Sequence, residues 1–394
     1  MQSKPDHNIN IKRIRTPEEF YLLQEKWNFL LSESPANSFF LRWEWLGAWW
    51  KAYQDKDYEL CILLAFRGNE LIGIAPFYLI YKSWKNIFPI RRLLFLGTKE
   101  GNLISEFMDI IHRDGEEEAV THEIFKFIVS EDLCDDLALH NICTLSKTIS
   151  VLQQIAKERK FLYIVNGMYE SPYINLPANY NDFLSRCSKK LRYNIKNNQK
   201  MIVKYDNIVF RKTNNLLELE SDFAELIRLH EQRWESRQLA GAFAGERFFS
   251  FQKMVMQDML RNGHLELRFL SVSGKNIAAV YNINYKGKIY FFQAGLDLSF
   301  DKDLSPGLLL HSYCIEEAIK DGLKEYDFLL MGNDIMDSYK KRWTKDYRHE
   351  CDIYMARPGA IKLMMSVRNK TKKFYHALKR KIKFAEHEKT PALQ

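Results

Sequence analysis

The sequence lacks the features that mark secreted, metal-dependent and membrane-spanning proteins. Its six cysteines include no CxxC pair and no other metal-type spacing, which argues against a zinc site and a disulfide framework. Its ten histidines form no HExxH motif, so we expect no metal cofactor. No apolar run approaches the roughly 18–20 residues of a membrane span, and the start, "MQSKPDHNINIKR", has no apolar stretch typical of a signal peptide. We therefore expect a cytoplasmic protein with reduced, mostly buried thiols.

The composition that remains is typical of a soluble globular chain. Hydrophobic residues make up 46% of the sequence and charged residues 27%. Its 394 residues are too many for one domain core of ordinary size, so two or three domains are expected.

The net charge of +8 is concentrated in two segments that contain no acidic residue. The first basic segment, residues 183–205, holds seven basic residues: Arg186, Lys189, Lys190, Arg192, Lys196, Lys200 and Lys204. The second basic segment, residues 353–385, holds ten, so the rest of the chain carries a slight negative charge. Both segments are candidates for binding an anionic partner.

Each basic segment has more than one interpretation. The first suits gripping the phosphates of an acceptor, such as a nucleotide-sugar or a polyprenyl-diphosphate head, or it is a solvated helix between domains. The second interleaves apolar residues with lysines, which is typical of an amphipathic helix on an anionic membrane surface. Nonspecific phosphate contacts with nucleic acid and a disordered solubilising tail are its alternatives.

Helical and strand patterns alternate along the chain, which predicts a mixed α/β fold. In the first half, two helices precede a hairpin whose turn is Gly68-Asn69, and a crossover helix and further strands follow. The second half repeats that order, with "SGKNIAAVYNI" in the place of "RGNELIGIAPF". We predict two tandem lobes of one fold, residues 1–178 and 179–358, and a basic tail, residues 359–394.

Several individual elements are predicted within this order. "TPEEFYLLQEKWNFLLSES" reads as one capped helix, and "SEFMDIIH" and "KEYDFLLMG" read as strands. "DSYKKRWTK" reads as a short helix that follows the second of these strands.

The crossover helix of the second half starts at "LSPGLLL". Ser305 is a suitable N-cap and Pro306 a suitable first residue, but Gly307 then costs about 1 kcal/mol against Ala inside a helix. The backbone N–H groups of Gly307, Leu308 and Leu309 suit the binding of a phosphate at the positive end of the helix dipole. Plain N-capping is the alternative interpretation.

The order of these motifs resembles a known superfamily. "LHEQRWES", "LRFLSVSGKNIAAVYNINYKGKIYFFQAGLD", "LSPGLLLHSYCIEEAIKDGLKEYDFLLMG" and "SYKKRW" together resemble the GNAT N-acyltransferases, in the CelD-like and FemAB-like subgroup. The resemblance covers roughly residues 205–358. The first half is similar as a degenerate copy, which is the arrangement of double-GNAT proteins.

The resemblance implies an acyl donor and an amine-bearing acceptor. The donor implied is acetyl-CoA or another acyl-CoA, used as a co-substrate without a metal, with its pyrophosphate over the start of the crossover helix. The Q/R-x-x-G-x-G/A phosphate loop of ordinary GNAT enzymes is absent from this sequence. Aminoacyl-tRNA, which Fem-type relatives use on the same scaffold, is therefore the alternative donor.

Catalytic candidates follow from the resemblance and from residue type. The lysine of "YK..W" in Fem-type enzymes faces the reacting carbonyl, which assigns the oxyanion to Lys340. Tyr339 is the candidate acid for the leaving thiolate. The alternative is a buried helical face containing Tyr339 and Trp343, with Lys340 solvated. Asp297 and Asp327, at strand ends, are candidate bases or simple turn caps.

Acceptor binding is assigned to aromatic and basic residues. His230, Arg233 and Trp234 lie on one helical face by their spacing, and Trp343 is grouped with them. A histidine packed beside a tryptophan is the alternative for this face.

These features predict an N-acyltransferase that acylates an amine on a sugar nucleotide or lipid-linked glycan in cell-envelope polysaccharide biosynthesis. The alternatives are a Fem-like, aminoacyl-tRNA-dependent transferase of peptidoglycan synthesis and a non-catalytic scaffold at the membrane surface. The expected partners are the acceptor and, through the tail, the inner face of an anionic membrane. Nucleic acid enters only as tRNA in the Fem-like alternative.

Overall fold

The computed structural model describes residues 8–84, 88–98, 105–235, 241–331 and 335–358. These residues form a mixed α/β structure, as the alternating patterns predict. The predicted tail, residues 359–394, contains most of the second basic segment and lies outside the described residues.

The first lobe contains seven strands and five α-helices among the described residues. The strands are β1 (Ile9–Ile14), β2 (Tyr58–Arg67), β3 (Glu70–Trp84), β4 (Phe88–Phe95), β5 (Ile111–His112), β6 (Asp136–Cys143) and β7 (Leu162–Asn175). The helices are α1 (Pro17–Tyr21), α2 (Gln24–Glu33), α3 (Trp43–Tyr53), α4 (Glu117–Ser130) and α5 (Lys147–Arg159), with a 3-10 turn at Phe39–Leu41.

The second lobe repeats this order. Its helices are α6 (Tyr180–Arg186), α7 (Lys189–Ile202), α8 (Leu216–Glu235), α9 (Glu246–Arg261) and α10 (Pro306–Lys320), with 3-10 segments at Ala242–Ala244 and Ile335–Arg342. Its strands are β8 (Ile208–Lys212), β9 (Leu265–Val272), β10 (Lys275–Tyr285), β11 (Lys288–Leu296), β12 (Glu325–Asp327) and β13 (Tyr347–Ala356).

The strand pairing is the same in the two lobes. Four strands form an antiparallel meander in each, β1 to β4 in the first and β8 to β11 in the second. A crossover helix, α4 or α10, follows the meander. The strand that follows this helix, β6 or β12, then pairs parallel with the last strand of the meander. The predicted tandem arrangement is confirmed by this shared topology.

The last strand of each lobe pairs with the sheet of the other lobe. β13 lies antiparallel between β6 and β7, and β7 continues beyond it to pair with β12. The resulting sheet has the order β1-β2-β3-β4-β6-β13-β7-β12-β11-β10-β9-β8, with β5 beside β3. One continuous sheet therefore crosses the predicted boundary at residue 178.

Two apolar cores fix the helices against this sheet. The larger core packs the first lobe and also takes in α8 and α9, where Trp45 on α3 meets Phe251 on α9 with ring centroids 4.8 Å apart. The smaller core encloses α10 between α7 and the second half of the sheet. Leu309, Leu310 and Ile315 of α10 are fully buried there. The start of α10 is consequently held at a fixed place on the sheet.

The helix predicted over residues 16–34 is two helices. α1 ends at Tyr21 and α2 begins at Gln24. Phe20 and Trp27 are both fully buried, and their ring centroids are 5.7 Å apart. Seven residues of a continuous helix would advance about 10 Å, so the break is what brings the two rings together in the core.

Two predicted strands are shorter than expected, and one predicted helix has another form. Phe107 (φ 52°) and Leu329 (φ 59°) are left-handed, and a residue in that conformation turns the backbone out of an extended path. Of the predicted strands "SEFMDIIH" and "KEYDFLLMG", only β5 (Ile111–His112) and β12 (Glu325–Asp327) form. The predicted helix at residues 337–345 is the 3-10 segment Ile335–Arg342.

Candidate active site

A large cleft opens in the second lobe. It has a volume of about 1240 Å³, above the ~300–1,000 Å³ of ordinary small-molecule sites. Its walls are α6 and α7, the end of β11 with the loop that follows, the start of α10, and the chain from Tyr339 to Asp346. The cleft is therefore long enough to hold two substrates or one extended substrate.

The cleft begins where two parallel strands separate. β11 pairs with β12 only from Lys288 to Tyr290, opposite Glu325 to Asp327, and then continues alone on that side to Leu296. Leu329 turns the chain away directly after β12. His311 of α10 and Trp343 pack against Phe328, the residue that follows β12.

The N-terminus of α10 faces this cleft. Ser305 is exposed and its side chain makes no capping hydrogen bond, while its own N–H donates to Asn198 Oδ1 at 2.6 Å. The N–H groups of Gly307 and Leu308 make no hydrogen bond within the described part of the chain. The N–H of Leu309 donates to the Ser305 carbonyl at 3.1 Å. Of the predicted anion-binding residues, Ser305, Gly307 and Leu308 line the cleft, and Leu309 is buried beneath it.

Gly307 has a packing reason for being glycine. A Cβ at this position would lie 3.2 Å and 3.3 Å from the two terminal methyl carbons of Leu296. The missing side chain thus allows α10 to approach the end of β11 closely. That contact places the helix terminus beside the end of β11.

An aromatic wall stands next to the helix terminus. Tyr339 and Trp343 both line the cleft, and their rings lie 6.1 Å and 5.7 Å from the imidazole of His311. Phe183 of α6 stacks on Trp343 at 6.5 Å. The predicted residues Tyr339 and Trp343 are therefore brought together with the predicted phosphate site.

His311 is a cleft residue that the sequence reasoning missed. Its Nδ1 lies 2.9 Å from Tyr326 Oη, and burial, together with Arg233 and Lys340, lowers the pKa of His311 to about 3. The imidazole is neutral at ordinary pH. The signal that could have found it is spacing, because His311 follows Gly307 by four positions and Leu308 by three, on one face of the helix.

Asp297 also lines the cleft, at the end of β11. Its carboxylate accepts from Ser299 Oγ at 2.6 Å and pairs with Lys275 Nζ at 2.7 Å. Burial acts to raise the pKa of Asp297, but Lys275 and Ser299 lower it to about 2. The group is ionised at neutral pH and is a weak proton acceptor there. Its role as a base stays a prediction.

Asp327 and Lys340 lie in the interior between the lobes and not on the cleft wall. Asp327 Oδ2 accepts from Arg348 at 2.7 Å, and burial raises the pKa of Asp327 to about 6 in spite of that partner. Lys340 is buried, and its Nζ donates to the Leu330 carbonyl at 2.8 Å. The structure thus does not bring these two candidates to the same surface as Tyr339.

The predicted acceptor patch is divided in a similar way. Arg233 lines the cleft, whereas His230 is buried behind it and accepts from Trp234 Nε1 at 3.0 Å. Burial, with Arg233 nearby, lowers the pKa of His230 to about 4, so it too is neutral. The pairing of His230 with Trp234 is the packed arrangement that the sequence left as an alternative.

The first basic segment forms one wall of the cleft. Arg186 and Lys190 lie along it, together with the amides of Asn194, Asn197 and Asn198. Lys341, Arg342 and Lys345 contribute further positive charge at the edge of the same cleft. Cationic side chains outnumber the aspartates that also line the cleft, Asp297, Asp301, Asp303 and Asp346, and this balance favours an anionic ligand.

The described residues also bear on metal binding and on membrane insertion. Among them, no cluster of His, Cys, Asp or Glu side chains has an arrangement that would hold a metal ion. None of the described helices is long and apolar enough to cross a membrane.

Comparison with known proteins identifies the class. The model of the acetyltransferase (GNAT) domain matches residues 189–341, which supply α7, α10 and most of the cleft. No curated protein matches the sequence. The second lobe contains a GNAT acetyltransferase domain, and the protein is an enzyme of the acyltransferase class.

Solved structures share the fold of the whole chain. FemX is 12% identical, with 90% of this chain and 99% of FemX covered at a TM-score of 0.58. L-PGS from Bacillus licheniformis is 12% identical, covering 88% and 95% at 0.52. A conserved protein of unknown function from Bacteroides thetaiotaomicron is 14% identical, covering 89% and 100% at 0.50. The TM-scores show a common fold and, at these low identities, nothing beyond the fold, so the CelD-like subgroup stays a prediction.

Proposed function

We propose that the protein transfers an acyl group from acyl-CoA to an amine on a sugar nucleotide or lipid-linked glycan during cell-envelope polysaccharide biosynthesis. The observation that carries the proposal is the uncapped N-terminus of α10, open to a large cleft with basic walls. A GNAT domain occupies this part of the chain, and such domains use acyl-CoA.

The cleft offers complementary groups for each part of an acyl-CoA donor. The free N–H groups of Gly307 and Leu308 suit the pyrophosphate, with Arg186 and Lys190 of the same cleft supplying positive charge. The apolar side chains of Leu296 and Leu308 suit the pantetheine arm. The thioester then reaches the aromatic wall of Tyr339 and Trp343, where we assign Tyr339 as the acid for the leaving thiolate.

The remaining charges favour an acceptor that carries phosphate. Lys341, Arg342 and Lys345 also line the cleft, as Tyr339 does. A nucleotide-sugar or a diphosphate-linked glycan would present both the amine and the phosphates that these side chains suit. Arg233 borders the same cleft and is retained as an acceptor-binding residue.

Isothermal titration with acetyl-CoA tests the donor directly. We expect saturable binding of one equivalent to the full chain, weakened by added salt because the cleft is basic. Dephospho-CoA and pantetheine, titrated in parallel, are expected to bind progressively less tightly as phosphates are removed. A folded sample that binds none of these compounds would contradict the acyl-CoA proposal.

A Fem-like transferase that uses aminoacyl-tRNA is the second candidate. The fold shared with FemX over 90% of the chain and the basic wall of the cleft favour it. RNA that copurifies with the protein, or acyl transfer that requires charged tRNA and is insensitive to acyl-CoA, would select this candidate over the first.

A further inference from the structure

His311 is a buried polar side chain of the cleft to which the proposed function assigns no role. Its Nδ1 is engaged by Tyr326, 2.9 Å away. Its Nε2 makes no hydrogen bond to any described residue. Nε2 is also not one of the buried atoms that lack a partner, so this atom is open to the cleft that His311 lines.

The residue behind His311 determines which nitrogen carries the proton. Tyr326 is fully buried, and among the described residues its hydroxyl has His311 Nδ1 as its hydrogen-bond partner. If this hydroxyl accepted a proton from Nδ1–H, its own buried O–H would be left without an acceptor, which is the costlier arrangement. The Tyr326 proton therefore points to His311 Nδ1, which accepts it. The one proton of the neutral ring is consequently on Nε2, facing the cleft.

The surroundings keep this ring neutral. Arg233 and Lys340 are the cations that act on it, and Tyr339 and Trp343 cover it with aromatic rings. Two neighbouring positive charges and burial oppose a third positive charge on the imidazole. A neutral ring with its N–H directed outward is a hydrogen-bond donor and a poor base.

We propose that Nε2–H of His311 donates a hydrogen bond to the carbonyl oxygen of the acyl donor and to the oxyanion formed from it. The inference rests on the proposed function and adds to it a catalytic residue. Tyr326 is a positioning residue that acts through His311.

The hydrogen bond acts during the transfer of the acyl group from the thioester to the amine. The amine nitrogen of the acceptor forms a bond to the carbonyl carbon, and the π electron pair of the carbonyl moves onto its oxygen. The oxygen returns the pair, the C–S bond breaks, and the thiolate leaves with that bonding pair. The nitrogen loses its extra proton to water in the open cleft, and the thiolate takes up a proton. A fixed N–H donor stabilises the charged oxygen between these events.

Polarisation of the thioester carbonyl tests the hydrogen bond from His311, and this test does not require the amine substrate to be known. The probe is acetyl-CoA labelled with ¹³C at the thioester carbonyl, bound to the full chain and measured by isotope-edited infrared spectroscopy. We expect the carbonyl band to move to lower frequency on binding to the wild type. His311→Leu should abolish that shift while the dissociation constant changes less than about two-fold, since the phosphates carry most of the affinity. His311→Gln, which keeps an N–H donor, should retain part of it.

A control on the same helix accompanies these variants. Tyr313 contacts Phe210 on β8 and is not a cleft residue, so Tyr313→Phe should leave the shift unchanged. An equal band shift in wild type and His311→Leu would overturn the inference while leaving the proposed function standing. No binding of acetyl-CoA by the folded wild type would instead overturn the proposed function and the inference with it.

The tautomer supplies a readout that needs no ligand. ¹⁵N–¹H NMR of histidine-labelled protein should show His311 protonated on Nε2 and not titrating between pH 5 and 8. Tyr326→Phe should lose this single tautomer. In an activity assay with an amine substrate that the enzyme accepts, the same variant should lower kcat by a larger factor than it changes KM. A signal from Nδ1–H in the wild type, or titration near pH 6, would overturn the assignment.

Loss of one oxyanion donor corresponds to about 10²–10³-fold in kcat, which is the decrease expected for His311→Leu.

Discussion

At the scale of single residues, the N-cap residue of α10 does not cap the helix with its side chain. Ser305 occupies the N-cap position, yet its hydroxyl does not cap the helix, and the N–H groups behind it stay available. Gly307 does not create that site by itself. It lets the helix approach Leu296 and so brings the terminus to the cleft.

Replacing Ser305 tests the phosphate site through competition. Ser305→Asp supplies a carboxylate that accepts from the free N–H groups, so the helix should gain about 0.5–1 kcal/mol while a phosphate is repelled. We expect the affinity for acetyl-CoA to fall at least about ten-fold as the melting temperature holds or rises. Titration calorimetry and thermal unfolding are the measurements.

The matched control is Ser305→Ala, which removes a hydroxyl that makes no capping bond. It should bind acetyl-CoA as the wild type does and unfold at nearly the same temperature. Wild-type affinity in Ser305→Asp would show that the donor does not use the terminus of α10.

At the scale of elements, α7 has one face on the cleft and one in solvent. Lys190, with Arg186 of the preceding helix, lies on the cleft wall, whereas Lys196 and Lys200 are exposed and outside it. The charge of the first basic segment is thus divided between the cleft wall and a solvated face. The solvated interpretation applies to the outer face, and phosphate binding by the cleft face stays a prediction.

Two charge-reversal variants with equal net charge separate the two faces. Arg186→Glu combined with Lys190→Glu should raise the KM or dissociation constant for a phosphorylated substrate about ten-fold or more, because attraction becomes repulsion inside the cleft. Lys196→Glu combined with Lys200→Glu should change it less than about two-fold in 0.15 M salt. Equal losses in the two variants would mean that only long-range charge matters.

At the scale of the whole molecule, carboxylates tie the lobes together beneath the exchanged strands. Glu106 of the first lobe accepts from the N–H of Leu330 in the second at 2.8 Å. Glu350 on β13 accepts from the N–H of Phe107 at 2.7 Å and from Ser171 Oγ on β7 at 3.1 Å. Burial, and the proximity of Glu350, raise the pKa of Glu106 well above its ordinary value, and burial raises the pKa of Glu350 to about 8.

These raised pKa values predict a stability that falls with pH. Between the ordinary glutamate pKa and about 8, the folded state holds more protons than the unfolded state, so the free energy of unfolding decreases as pH rises. The contribution is complete below the unfolded pKa and is lost as pH passes through about 8. Urea unfolding from pH 5 to 9 should show this decline, and Glu350→Gln should flatten it.

Glu131→Gln, at an exposed position, is the control and should leave the slope as it is in the wild type. A wild type whose stability rises from pH 5 to 9 would be inconsistent with protonated carboxylates between the lobes.

Much of the fold could be predicted from the sequence because its signals are local. The apolar periods of α10 and of the meander strands, the Gly68-Asn69 turn and the Ser305-Pro306 start all act over a few residues. The break after Tyr21 and the short β12 could not be predicted, because they depend on Trp27 meeting Phe20 and on the left-handed Leu329. Such features are decided by contacts that local patterns do not contain.

The candidate site, like the fold, could be predicted from the sequence only in part. Sequence alone indicated Tyr339, Trp343, Arg233, Asp297 and the start of α10, and the structure gathers these around one cleft. It did not indicate His311, and it grouped Lys340 with Tyr339 although adjacent residues of a helical turn point in different directions.

The sequence by itself determined the order of elements and the duplication, because both are written in local periodicity, and it indicated the acyltransferase class through its resemblance to the GNAT enzymes. Only the tertiary structure decided that β7 and β13 are exchanged between the lobes, that Asp327 and Lys340 are enclosed there, and that His311 faces the cleft. Those outcomes depend on which strands pair across long stretches of chain and which side chains lose water, and neither quantity is a property of any short segment.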